Sequence, residues 1–269
     1  MLHRYAYLAA LAAFACAAPA HADKLDDVIN SGTLRCAVML DFPPAGFRNK
    51  DNQPAGYDVE YCNDMAAALG VKAEIVETAS QQRIPALVTN QVDVTIGSMT
   101  ATTERAKTVL FSHPYLVYKL SVISRVGSGI KSWEALRGKN VAVVRGTTPE
   151  AEYLKQCAAW AEGCLNQSYG SNAEQLLAFS QGKADALIET NTFVTEILKA
   201  QKDKSMELCC YVPNFTDWSA IAVNRGDVGL RDWINLFIFY QVESGRYKAL
   251  FEKWFGGEVP ALARADVQY

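Results

Sequence analysis

Val92-Asp93-Val94-Thr95-Ile96-Gly97-Ser98-Met99-Thr100-Ala101-Thr102-Thr103-Glu104-Arg105 is the stretch on which the fold turns. A short apolar run of strand formers ends at a glycine, hydroxyl residues follow, and a helix-like segment places an arginine five residues after Thr100. Val143-Val144-Arg145-Gly146-Thr147-Thr148-Pro149-Glu150 has the same order: strand, glycine turn, hydroxyls, helix start. A buried strand that feeds a helix through a tight turn is the building unit of α/β layers.

The same rhythm extends outward in both directions. Leu34 to Leu40 reads as a strand, stopped by Asp41 and the Pro43-Pro44 pair. After Gly56, the residues Val59, Cys62, Met65, Ala66 and Leu69 recur at three- and four-residue spacing as far as Gly70, which predicts a helix. Ala73 to Val76 predicts a strand, and Ile84, Leu87 and Val88 a helix containing Pro85. Strand Val141 to Val144, helix Ala151 to Ala161, helix Ala173 to Gln181, strand Ala184 to Ile188 and helix Thr192 to Ala200 continue the alternation. The expectation is an α/β protein with largely parallel sheets. Leu116 to Arg125 and Ala220 to Asn224 are extended runs that break the rhythm. If each crosses between two lobes, residues 23–117 and 219–269 form one lobe and 118–218 the other. In the helix-rich closing segment, Trp233, Phe237 and Tyr240 recur at helical spacing and predict a packed face.

Composition narrows the function. The chain has 269 residues, 50% hydrophobic and 20% charged, with a formal charge of −3. That balance suits a folded protein and lacks the basic footprint of a nucleic-acid binder. Residues 1–22 differ from the rest: Arg4, the apolar run from Tyr5 to Ala18, then Ala20-His21-Ala22, which fits a signal-peptidase site. The run is about 14 residues where a spanning helix needs about 20, so a cleaved export signal is expected rather than an anchor. Loss of Cys16 leaves Cys36, Cys62, Cys157, Cys164, Cys209 and Cys210. They contain no CxxC pair and the chain has only 3 His, which points to disulfides rather than metal, in any of 15 connectivities. No cofactor and no metal are expected.

The two glycine loops carry the candidate chemistry. Ligands of α/β sheets sit at the carboxyl ends of strands. There, backbone N–H groups and the hydroxyls of Ser98 and Thr100 can hold a carboxylate, and the Arg105 guanidinium can clamp it with two parallel bonds. The helix start at Thr147-Thr148-Pro149 is the second anion-friendly element, through its free N–H groups. The plain alternative at both loops is helix capping.

Gly56-Tyr57-Asp58-Val59-Glu60, Arg83-Ile84-Pro85-Ala86-Leu87, Val92-Asp93-Val94, Thr103-Glu104-Arg105 and Phe111-Ser112-His113-Pro114-Tyr115 stand in order along the chain. Leu136-Arg137-Gly138-Lys139, Gly146-Thr147-Thr148, Gly182-Lys183-Ala184-Asp185-Ala186, Gly245-Arg246 and Lys253-Trp254-Phe255-Gly256 continue the series. The set resembles the polar-amino-acid family of periplasmic solute-binding proteins, bacterial extracellular solute-binding protein family 3. The resemblance implies a type II periplasmic-binding-protein fold, two α/β lobes joined by two hinge strands, working as a monomer in the periplasm. The protein would close on a small amino acid or carboxylate and hand it to an inner-membrane ABC permease. It also implies roles: Phe42 stacking on the ligand, and Arg105 with Gly97, Ser98, Thr100, Thr147 and Thr148 on the α-carboxylate. Arg83 resembles an arginine that reaches a side-chain carboxylate in acidic-amino-acid binders, its alternative being a solvated helix-start residue. One departure stands out. Where the family carries an aspartate for the ligand ammonium, ungapped counting finds Thr190, with Glu189 before it. Two other readings keep the fold: a cyclohexadienyl-dehydratase-like enzyme with Glu189 as its acid, and a ligand-sensing receptor.

Overall fold

The computed structural model describes residues 23–160, 164–202 and 204–262. The expected export signal, with Cys16 and its cleavage site, lies outside the described residues. In chain order the first elements are α1 (Lys24–Ser31), β1 (Thr33–Val38), β2 (Asp41–Phe42), β3 (Gly46–Arg48), β4 (Pro54–Ala55), α2 (Tyr57–Leu69) and β5 (Lys72–Glu77). Next come α3 (Arg83–Val88), β6 (Val94–Thr95), β7 (Val109–Tyr118), β8 (Leu120–Arg125), β9 (Asn140–Val144), α4 (Thr148–Ala159) and β10 (Leu165–Tyr169). The chain ends through α5 (Asn172–Ser180), β11 (Ala186–Thr190), α6 (Asn191–Ala200), β12 (Met206–Tyr211), β13 (Asp217–Asn224), α7 (Val228–Glu243) and α8 (Arg246–Trp254).

Two five-stranded sheets organise these elements, one in the order β5-β1-β6-β13-β7 and the other β10-β9-β11-β8-β12. The extended run Leu116 to Arg125 is not one strand. It divides at Lys119 into the end of β7, in the first sheet, and β8, in the second. The chain returns between Tyr211 and Asp217. Each sheet is mixed rather than largely parallel: β1 runs parallel to β5 and β6, but β13 is antiparallel to β6 and β7, and β8 to β11 and β12. The reason is connectivity. Parallel neighbours need a crossover helix, whereas β8 and β13 arrive directly from the opposite sheet and run against their neighbours.

Local chemistry sets the helix limits. Gly70, at φ +71°, takes the left-handed conformation that ends α2 and returns its N–H to the carbonyls of Ala66 and Ala67. Helix α4 begins at Thr148, earlier than the apolar pattern predicts, because Thr147 caps it and Pro149 suits its first turn. Tyr57, Val59, Cys62, Met65 and Ala66 of α2 pack with Leu34, Cys36, Val38 and Val94 into the first core, and Leu120, Val122, Val141, Val143 and Ile188 anchor the second. Two disulfides form: Cys36–Cys62 ties β1 to α2, and Cys157–Cys164 joins the end of α4 to the start of β10. Cys209 and Cys210 are free thiols. The aromatic face of α7 is only partly packed. Trp233 stacks on buried Phe237 as predicted, but Tyr240 is 60% exposed beside Phe239, because the buried stripe of α7 runs through Leu230, Ile234, Phe237 and Ile238 and Tyr240 falls to one side of it. Among the described residues no helix is long and apolar enough to cross a membrane, and no group of three or more His, Cys, Asp or Glu could hold a metal ion.

Candidate functional site

The carboxyl ends of both sheets meet at one cleft. Phe42, Arg83, Ser98, Thr100, Arg105, Thr147, Thr148, Glu189 and Thr190 line it together with Met39, Pro149, Asn172 and Asp217. Gly97 stands behind this lining, where its carbonyl accepts a hydrogen bond from Arg83 Nη1. A side chain at Gly97 would press on the Arg83 Cδ, 3.3 Å from the position of a Cβ. The cleft encloses about 20 Å³. A cavity of about 250 Å³ adjoins it, sharing Met39 and Asn172 and lined further by Asp41, Ser80 and Ser171.

The two halves touch across the cleft, so the structure is a closed form. Thr100 Oγ1 and Thr148 Oγ1 are 2.6 Å apart, Ser80 Oγ donates to the Arg145 carbonyl at 2.8 Å, and Asn172 N donates to Asp41 Oδ2 at 2.8 Å. Phe42 stacks on Phe193 with ring centroids 5.3 Å apart. Gly146 permits this approach twice over: its φ is +76°, and a Cβ there would stand 3.2 Å from Gln81 Cα.

Arg105 lies in the cleft. Its Nη1 donates to the Thr100 carbonyl at 2.8 Å and to Thr148 Oγ1 at 3.3 Å, and its Nη2 to the Gly146 carbonyl at 3.0 Å. Burial lowers its pKa, opposed by the Asp217 carboxylate. Arg83 is not a solvated helix-start residue. It is 3% exposed, with Nε donating to the Ser80 carbonyl at 2.9 Å; burial and the nearby Arg105 charge lower its pKa to about 9.

The hydroxyls divide between capping and the cleft. Thr147 and Thr190 are helix caps, accepting from Glu150 N and Phe193 N at 3.4 Å each. Ser98 turns away from the cleft centre. Its backbone sits at φ +50°, its hydroxyl donates to Asp58 Oδ2 at 3.0 Å, and its N–H donates to the Tyr115 hydroxyl at 3.0 Å. Tyr115 donates to the other Asp58 oxygen at 2.7 Å, and burial raises this carboxyl to about 7. The left-handed Ser98 is thereby pinned by a buried network centred on Asp58.

Sequence reasoning missed Asp217. Loop 97–101 runs alongside the start of β13: Ala101 N donates to the Trp218 carbonyl and Ala220 N to the Met99 carbonyl, each at 3.0 Å. That pairing sets Asp217 beside Thr100, whose Oγ1 donates to Asp217 Oδ2 at 2.8 Å, while Ser219 Oγ donates to Oδ1 at 3.1 Å. The one available signal was an acid just ahead of the second extended run. Burial raises Asp217 to about 6, although both hydroxyls and the two arginines favour its charge. Glu189 is 2% exposed and accepts from Thr190 N at 3.1 Å; burial raises it to about 8, with Asp41 and Asp217 adding to the shift. Among the described residues, none of Arg83, Arg105, Glu189 and Asp217 is in an ion pair.

The sequence profile of the bacterial extracellular solute-binding proteins, family 3, matches residues 34–257. The chain belongs to this family. The L-cystine-binding protein TcyJ of Escherichia coli (strain K12) is 29% identical over 238 residues, 87% of each chain. A solved solute receptor for L-cysteine of Neisseria gonorrhoeae superposes with a TM-score of 0.80 at 28% identity, covering 87% of this chain and 93% of that one. The ancestral amino acid-binding protein AncCDT-1, a precursor of cyclohexadienyl dehydratase, superposes with a TM-score of 0.77 at 31% identity, covering 87% and 100%. As a family-3 solute-binding protein the chain has the type II periplasmic-binding-protein fold, with its cleft between two α/β lobes.

Proposed function

We propose that this chain is the exported, periplasmic receptor of an ABC importer and that its cargo is a polar α-amino acid, delivered to an inner-membrane permease. One observation carries the reading: Arg105 and Asp217 bear opposite charges on either side of Thr100 and do not touch. An unpaired buried charge is costly unless a partner neutralises it. A zwitterion supplies both partners at once. Its carboxylate takes the bonds that Arg105 now gives to neutral oxygens, with Thr148 beside it, and its ammonium meets Asp217. This assigns to Asp217 the role that the family gives to the residue at the Thr190 position, which here caps α6. The side chain of the cargo runs past Met39 and Asn172 into the adjoining cavity. Contacts from both lobes make ligand binding favour the closed form, which is the form a permease recognises.

A thermal-shift screen of residues 23–269 against amino acids, simple amines and dicarboxylates tests the reading. An amino acid raises the melting temperature by mass action, whereas its decarboxylated and deaminated analogues do not. Equal stabilisation by the deaminated analogue would remove the ammonium site. The enzymatic reading has one observation in its favour: Glu189 lines the cleft, and burial there holds its carboxyl up to about 8. A general acid needs a proton to give near neutral pH. Prephenate turnover by the purified protein is its assay, and none is expected.

A further inference from the structure

Cys209 and Cys210 are adjacent in sequence, and their sulfurs lie 2.7 Å apart. Neighbouring residues of a regular strand point to opposite faces, so their side chains cannot meet. Strand β12 is irregular at this place. Leu208 pairs with Ile123 and Cys210 with Val122, and the register shift between them leaves Cys209 without an opposite residue. Two residues against one is the geometry of a β-bulge, and it turns consecutive side chains toward the same side. Both cysteines are half-buried, and both pack on the core of the second lobe. The chain's four other described cysteines are already joined in pairs.

We propose that Cys209 and Cys210 form a modification site, closing into a vicinal disulfide by exchange with an external disulfide. Cys209 is the attacking group of the two: burial raises both thiols, but the hydrogen bond with Cys210 and the charge of Lys131 offset part of the rise at Cys209, whereas the neighbouring thiol adds to it at Cys210. Cys209 loses its proton to solvent and attacks one sulfur of the external disulfide, releasing one thiolate. Cys210 then gives up its proton and attacks the Cys209 sulfur of the mixed disulfide, expelling the second thiolate. Two thiols are oxidised, one external disulfide is reduced to two thiols, and an eight-membered ring closes across the 209–210 peptide. The ring holds the bulge at the end of β12, the strand from which the chain returns to the first sheet and to Asp217.

The test is alkylation mapping of the protein carrying both of its other disulfides. Folded protein is mildly reduced until the 209–210 thiols react, exchanged into oxidised glutathione, and quenched in denaturant with N-ethylmaleimide. The peptide containing Cys209 and Cys210 is then expected without adducts and lighter than its dithiol form by two hydrogen masses. Two maleimide adducts, a persistent glutathione adduct, or a link to any other cysteine would overturn the proposal. In the Cys210→Ser variant the ring cannot close, so Cys209 is expected to retain glutathione or react with maleimide. A Cys209 in that variant joined to another cysteine of the same chain would also refute it.

Discussion

Replacing Arg105 by methionine removes the guanidinium while keeping an unbranched apolar stem. The arginine makes three hydrogen bonds in the cleft, to the Thr100 carbonyl on its own side and to Thr148 Oγ1 and the Gly146 carbonyl opposite, all neutral oxygens. A ligand carboxylate replaces two of these by bonds between opposite full charges, worth about 1.5–3 kcal/mol each. Their loss weakens binding by roughly 3–6 kcal/mol, or about 10²–10⁴-fold in Kd. The unliganded protein changes far less. It loses contacts to neutral oxygens but is relieved of a half-buried cation that lies near Arg83, leaving a net change of about 1 kcal/mol or less. Titration calorimetry with an amino acid identified by thermal shift measures the first quantity, and urea denaturation without ligand the second. An affinity that stays within about threefold of the parent, under 1 kcal/mol, refutes the carboxylate clamp. A fall in affinity matched by an equal loss of unliganded stability refutes it as well, because the arginine would then be structural.

Asp217→Asn keeps the shape and one of the two accepting oxygens but removes the charge, and is expected to cost amino-acid binding about 3–5 kcal/mol, the cost of breaking a buried pair. In the parent protein an ammonium binds the ionised carboxyl, so affinity rises with pH until Asp217 ionises near 6 and then levels off; calorimetry across pH should find no such rise in the variant. Glu189 has a folded pKa raised from 4.5 to about 8, so the stability it contributes is present below 4.5 and is lost as pH rises through about 8. Glu189→Gln should flatten that decline in the melting temperature and leave the variant more stable than the parent above pH 8. Replacing Cys36 and Cys62 together by alanine opens a link across 26 residues and should lower unfolding free energy by about 3 kcal/mol, read by urea denaturation.

How far each feature could be read from sequence depended on the range of the interaction behind it. The helix after Gly56, the caps at Thr147 and Gly70 and the two glycine loops rest on contacts within a few residues, and periodicity exposes them. Arg105, Thr100 and Thr148 were named for the same reason: each sits on a short strand-to-helix loop whose chemistry is local. Thr190 marks the limit of local reading, because a cap and a ligand contact have the same sequence appearance; its hydroxyl caps α6 and its side chain lines the cleft. Tyr240 was misread because helical spacing does not say where the core ends. Asp217 was missed altogether, since its partner Thr100 is 117 residues away and nothing near Asp217 records the pairing.

Read without coordinates, these 269 residues determined an alternating α/β chain, two anion-ready loops and the resemblance to solute-binding proteins. Local propensity and hydrophobic period are enough for that, because backbone geometry repeats along the chain. Only the tertiary structure decided that the sheets are mixed, which four cysteines join, and that an acid from β13 lies across Thr100 from Arg105. Each of these depends on bringing distant segments to within about 3 Å, the reach of a hydrogen bond. Such distances are set by the packing of two sheets against one cleft, and no window of sequence contains them.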